Sequence, residues 1–218
     1  VTMNNVSTIG NAAGTRINAL NSDVVAIFNT VNASQNAGPG LQAFIDGGSL
    51  AMAANSLNAS GNLQDNINLQ FTNGARMDLI FGNVDASASV AGNGIVILNN
   101  GGFGTAFLDV VNATGNAGSG FIFQGDNGAN IQAAISGNAL LNNNGQHAIQ
   151  VGANNLSMVE LAATNVNATG SGTDGLFFFA TGNSLLSLNF DNVQLDNSGL
   201  TTGGNGILGI NFDSTVLA

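Results

Sequence analysis

A chain of 218 residues with only Arg16 and Arg76 as cations, and a formal net charge of −10, has no basic patch to neutralise phosphates; this excludes nucleic-acid binding, and an anionic membrane surface would repel it. Charged residues make up 6% of the chain, against about 25% in ordinary domains, and 36 Asn and 31 Gly fill the gap. No apolar run approaches the roughly 20 residues of a bilayer helix, so membrane insertion is excluded too, and the absence of Cys removes disulfides and thiolate metal sites.

The chain opens on Val1 rather than Met and shows no signal peptide, as expected of a processed protein or an excerpt from a longer one. Apolar strand starts then recur at Ile17, Leu41, Ile67, Ile95, Phe121, Ile149, Leu176 and Ile207, spaced 24, 26, 28, 26, 28, 27 and 31 residues. A period of this length marks a solenoid. The runs Gly40-Leu41-Gln42-Ala43-Phe44, Gly94-Ile95-Val96-Ile97-Leu98 and Gly175-Leu176-Phe177-Phe178-Phe179 are short, β-branched or aromatic, and preceded by Gly. They read as strands entered through a turn that calls for positive φ, with Phe44, Ile95 and Leu176 facing inward. A turn follows each, such as Asp46-Gly47-Gly48 or Asn99-Asn100-Gly101-Gly102, then a second strand such as Leu185 to Phe190. A Val-Asn-Ala-Ser/Thr segment supplies a third.

That third segment is a second landmark, read at Val31, Val84, Val111, Val166 and Val193, with Leu57 as a variant. Val84, Val166 and Val193 each lie 17 places after a strand start. If Ala218 is joined to Val1, Val6 also falls 17 places after Ile207, and the 12 residues from Ile207 to Ala218 plus the 16 before Ile17 make a further repeat of 28. The expected architecture is therefore all-β: residues 1–218 as a single right-handed parallel β-helix of about eight coils, uncapped, with both termini in mid-coil. At about 4.8 Å per coil it spans about 38 Å.

The repeats Gly92-Asn93-Gly94-Ile95, Gly204-Asn205-Gly206-Ile207, Asp191-Asn192-Val193-Gln194-Leu195-Asp196-Asn197-Ser198-Gly199 and Asn112-Ala113-Thr114-Gly115-Asn116 resemble the tandem parallel β-helix repeats of large bacterial surface and secreted proteins, the pectate-lyase-like β-solenoids. The resemblance covers essentially the whole chain and is specific for fold alone, because this coil serves pectin-cleaving enzymes, phage tailspikes and adhesins.

Asn32, Asn58, Asn112 and Asn167 recur at equivalent places. They read first as a ladder of stacked amides. Each also stands in Asn-Ala-Ser/Thr, which makes them glycosylation candidates, as do Asn5-Val6-Ser7 and Asn155-Leu156-Ser157. The carboxylates do not cluster as polysaccharide cleavage requires: Asp65 and Asp174 precede strand starts four coils apart, Asp78 and Glu160 share a column three coils apart, and His147 stands alone. No catalytic residues are assigned and the chain reads as a non-enzyme. Asp23, Asp46 and Asp213 follow their strand starts by six, five and six residues. In a head-to-tail stack they are expected to form one acidic column, with calcium at the joint as the only candidate cofactor.

The reading is an extracellular or cell-surface structural protein. A solenoid end exposes unpaired strand edges, and an end-to-end contact that does not close gives a filament. The expected partner is a further copy, the joint being formed by Val1, Thr2, Met3 and Val6 with Thr215, Val216, Leu217 and Ala218, either between subunits or between modules of one chain. The alternative is a carbohydrate-binding or carbohydrate-cleaving β-helix, or an adhesin module, with glycans as partners and Phe in place of the missing Trp and Tyr.

Overall fold

The computed structural model describes residues 2–196 and 204–217, which form strands and turns without a helix. Six coils begin with a short strand, β4 Ile67–Thr72, β6 Ile95–Asn100, β8 Phe121–Asp126, β11 Ile149–Asn154, β13 Leu176–Thr181 and β15 Ile207–Phe212; β4 and β8 alternate buried and part-exposed side chains, whereas Ile207, Leu208 and Ile210 of β15 are exposed at the end of the stack. A turn leads into a longer strand, namely β5 Arg76–Asp85, β7 Phe103–Asn112, β12 Met158–Asn167 or β14 Leu185–Gln194, and after β15 into the short β16 Thr215–Leu217. In the first two coils the pair is fused into β2 Thr15–Asn32 and β3 Leu41–Asn58; in the fifth the long strand divides into β9 Asn130–Ile135 and β10 Ala139–Leu140. With β1 Thr2–Ser7 ahead of them, these 16 strands make one continuous sheet in which every pair recorded is parallel. The chain is a parallel β-solenoid of about eight coils.

The register shows where the spacing argument holds. Leu41, Ile67, Ile95, Phe121, Ile149, Leu176 and Ile207 stack in one column, as expected. The first coil enters that column at Thr15, because Ile17 pairs with Ala43 two places on. The 24-residue spacing is thus a 26-residue spacing counted from the wrong residue: an apolar side chain marked the second inward position of its strand. The Val landmark also stacks, from Val6 on Val31 through Leu57, Val84, Val111, Ala139 and Val166 to Val193. Only in the fifth coil, at β10, does it open a separate third strand. The long strand only kinks, skipping one pairing place at Asn29, Asn55, Gly82 and Asp109, before the Val.

Inside lies one apolar core. Leu41, Ala43, Ile45, Ile67, Leu69, Phe71, Ile95, Ile97, Phe121, Phe123, Ile149 and Val151 are buried from the short strands, Leu50, Met52, Met77, Leu79, Phe81, Leu108, Val159 and Leu161 from the long ones. Each large side chain removed from water contributes about 1.5–3 kcal/mol. Ile95 and Leu176 face inward as expected. Phe44 does not: it alternates between Ala43 and Ile45 and points out, 36% exposed.

A second buried stack runs beside this core. Asn36, Asn62, Asn116 and Asn144 are all nearly inaccessible, and each carboxamide serves the coil before it. Asn36 N and Nδ2 donate to Asn62 Oδ1 at 2.8 and 3.0 Å, and Asn116 N and Nδ2 donate to Asn144 Oδ1 at 3.0 Å each. Between these pairs Asn66 takes the bonds from Asn62 and passes Nδ2 to Asn116 Oδ1 at 3.0 Å, which also accepts from Ser89 N at 2.8 Å. Asparagine suits the position because one planar group carries both donor and acceptor, so it bonds the coil on either side at once.

The glycines ahead of the strands serve this stack. Gly40, Gly94 and Gly120 do not have positive φ, contrary to the expectation. They lack a Cβ because there is no room for one: at Gly40 it would lie 2.4 Å from Asn62 Nδ2, at Gly94 2.8 Å from Asn116 Nδ2, and at Gly120 2.6 Å from Asn144 Nδ2.

Candidate functional site

The two ends of the stack carry the residues expected to form a joint. At the first, β1 pairs with β2 alone among the described residues, which leaves its outer edge of N–H and C=O groups open. Beside it the core gapes into a hollow of about 540 Å³ lined by Met3, Val6, Ile17, Val24, Ala26 and Phe28. At the other end β15 and β16 pair, among the described residues, with β13 and β14 alone, and Ile207, Leu208, Ile210 and Leu217 are exposed while Val216 packs on the core. Thr215 N donates to Ser184 O at 2.9 Å, which continues the ladder into β16. Thr2 pairs through its backbone with Ile27; Val1 and Ala218 lie outside the described residues.

The long strand of the fourth coil starts eight residues after Ile95, at Phe103, and its Val comes at 16, Val111. Thr215 likewise follows Ile207 by eight. Val6 at 17 is one residue more than such a coil uses, so continuation through Ala218 and Val1 must absorb one residue. The fifth coil does so at its kink, where four places separate Ile135 from Ala139 against three from Leu108 to Val111.

The single acidic column does not form. Asp46 pairs with Leu20 and Thr72, and its carboxylate accepts from Thr72 Oγ1 at 3.1 Å and from Asn73 Nδ2. Asp23 pairs with Ser49, whose Oγ donates to it at 2.7 Å. Asp213 falls in the turn, at φ 48°, and its carbonyl accepts from Asn183 N at 2.7 Å. Counted from Thr15, which opens the first strand, Asp23 is eight places along, not six. Among the described residues no three His, Asp or Glu side chains converge as a metal would require.

Asn32, Asn58, Asn112 and Asn167 occupy one column, shared with Asp85. In three of them the Ser/Thr partner is used locally: Ser34 Oγ donates to Asn32 Oδ1 at 2.7 Å, Ser60 Oγ to Asn58 Oδ1 at 2.7 Å and Thr114 Oγ1 to Asn112 Oδ1 at 3.0 Å; at the fourth, Thr169 Oγ1 donates instead to Asn142 Oδ1 of the preceding coil at 3.2 Å. Asn112 Nδ2 also donates to Asp85 Oδ1 at 3.1 Å. These side chains are half-buried, and the motifs at Asn32, Asn58 and Asn112 double as small turns. The fully buried amides four residues later, Asn36, Asn62 and Asn116, were the stronger signal, legible as Asn-Ala-Ser/Thr-x-Asn.

The carboxylates considered for catalysis remain apart. Asp65 Oδ1 accepts from Asn93 N and Nδ2 at 2.8 and 2.9 Å, Asp174 Oδ1 from Asn205 N at 2.8 Å, and Asp78 is paired with Arg76 at 2.8 Å. His147 is not alone, as the sequence suggested. Its Nδ1 lies 3.0 Å from the buried Asp174 Oδ2 and from Thr173 Oγ1, and its ring stacks on Phe177 at 4.7 Å. Burial holds its pKa below the ordinary 6.5 and outweighs the raising influence of Asp174. A depressed pKa gives stability that is complete above 6.5 and is lost as pH falls through the lowered value. Thermal melting is therefore expected to lose stability over that acid window, and His147→Gln is expected to remove this part of the pH dependence.

Compared with protein-family models, with curated proteins and with solved structures, the chain finds no match in any of the three.

Proposed function

We propose that the chain is a structural β-solenoid rod of the extracellular space or cell surface, extended end to end by further coils. The observation that carries this reading is the pair of open ends: strand edges continue the same columns at both, and the hollow beside Val6, Ile17 and Phe28 is the unfilled interior of a coil. Apolar surface of this kind and unpaired backbone are both stabilised by one more coil. A second copy fits as the source of that coil because β15 with β16 supplies the first part of a turn and β1 its close. Coils of one longer polypeptide give the same geometry with a covalent joint. The low charge, and carboxylates that do not converge among the described residues, support a scaffold over a catalyst, in keeping with tandem β-helix repeats of bacterial surface proteins.

The test is assembly of the purified chain. Electron microscopy and sedimentation are expected to show head-to-tail polymers of uniform width, and deletion of residues 215–218, which removes β16, is expected to leave monomers with the rest of the coil stack folded by circular dichroism. Monomeric wild-type protein at high concentration would overturn assembly between copies, and undiminished polymers from the deletion would overturn the proposed joint. Calcium removal is expected to leave the polymers intact.

A second reading, carbohydrate binding, is favoured by one observation: Phe177 stacks with His147 and lies 5.6 Å from Phe179, which makes a small aromatic surface without Trp or Tyr. Titration with oligosaccharides against Phe177→Ala tests it.

A further inference from the structure

The outward face of the long strands is unusual for a chain so rich in Asn. The register aligns Ile27, Ala53, Ile80, Phe107, Ala134 and Ala162 in one column running up the rod. Its large members stand well into solvent, Ile27 at 47%, Ile80 at 59% and Phe107 at 53%. Alternation demands only that outward positions avoid the core; nothing in the coil requires Ile or Phe there, and contiguous apolar surface outside a core marks an interaction site.

The alanines shape this column. One shallow apolar hollow of about 190 Å³ lies over Ala51 and Ala53, between Ile27 and Ile80, with Asp78 at its rim. A second, of about 110 Å³, lies beyond Phe107 over Ala134 and Ala162, with Glu160 at its rim. Asp78 and Glu160 occupy one column beside the apolar one, and Asp23 and Asp109 lie on the same face. The one cation there, Arg76, is already paired with Asp78 and lies over the Phe103 ring.

We propose that this face is a docking site for a cationic amphipathic helix of a partner protein. Charge selects the occupant. A second copy laid face to face would bring another net charge of −10 against these carboxylates, and like charges across an interface oppose binding. A helix with apolar residues on one side and Lys or Arg flanking them matches the hollows and their acidic rims. The hollows are centred about three and a half coils apart, about 17 Å at 4.8 Å per coil, which corresponds to about 11 helical residues, three turns on one face. The site is independent of the ends and holds whether or not the rod polymerises.

The experiment uses the whole chain and an amphipathic Leu/Lys peptide of about 18 residues, with leucines about 11 positions apart on its apolar side. Fluorescence anisotropy is expected to show saturable binding that weakens with salt. Ile80→Ser with Phe107→Ser is expected to weaken it at least tenfold, and Asp78→Asn with Glu160→Gln at least threefold with a shallower salt dependence. All four positions are exposed or half-exposed, and circular dichroism melting checks that the coils are unchanged. No binding by the wild type overturns the proposal. So does equal binding by the Ile80/Phe107 variant, which means plain attraction of a polycation to an acidic rod. A wild-type sedimentation mass that falls only in that apolar variant overturns it as well, because the face then belongs to a second copy.

Discussion

Replacing Asn116 by Asp is expected to destabilise the chain by about 3 kcal/mol at pH 7, an effect that largely disappears near pH 4. Oδ1 of the native side chain accepts from Asn66 Nδ2 and Ser89 N, and its Nδ2 donates to Asn144 Oδ1. A carboxylate keeps the acceptor but sets its second oxygen against the Asn144 oxygen, about a hydrogen-bond length away, in a site removed from water. Each buried polar group left unpaired costs about 1–3 kcal/mol, and burial raises the pKa of the new carboxyl. The sign follows from that rise. The protonated form, which can donate to Asn144, is favoured in the fold; stability is complete below about pH 3.9, the unfolded value, and is lost as pH rises through the raised value. Asn116→Ala is expected to cost a similar amount without this pH dependence. Urea unfolding of both variants and the wild type at pH 4 and 7 distinguishes the ladder from simple volume: equal losses at the two pH values for the Asp variant would rule out the donor role.

Gly120→Ala is expected to cost about 3 kcal/mol although the change is one methyl group on an ordinary backbone conformation. Its Cβ would lie 2.6 Å from Asn144 Nδ2 and 2.7 Å from Ala148 O, so either the amide stack or the strand entry must shift. Gly115→Ala is the control. That glycine has φ +66° and nothing within 4 Å of a Cβ, and its cost is the left-handed conformation alone, about 1 kcal/mol. Ala88 already adopts φ 57° at the equivalent point of its own coil. Melting temperatures in the order wild type, Gly115→Ala, Gly120→Ala are expected; the reverse order of the two variants would mean that conformation, not close approach, selects glycine here.

Both predictions concern positions whose spacing was visible in the sequence and whose reason was not. The solenoid itself was legible because one side chain per strand must fill the same slot in every coil, so Leu41, Ile67, Ile95, Phe121, Ile149 and Leu176 recur at 26 to 28 residues. The Val column from Val6 to Val193 was legible for the same reason. Residue type alone misled where a slot is filled atypically. Thr15 opens the first strand without an apolar side chain, so the count began at Ile17 and carried Asp23 into the wrong column. Phe44 was placed inside by its hydrophobicity and outside by the alternation of the strand.

What only the tertiary structure decided is which of many similar asparagines matter. Asn32 and Asn36 differ little as letters, yet the first is half-buried in a local turn and the second is enclosed and bonded to Asn62 one coil away. The distinction depends on which coil lies against which, as does the meeting of His147 with Asp174 and the alignment of Ile27, Ile80 and Phe107 on one exposed face. Periodicity along the chain sets the number of coils, because every coil repeats the same burial. The lateral chemistry comes from register between residues about 27 apart, and a shift of one residue would turn every inward side chain to the solvent.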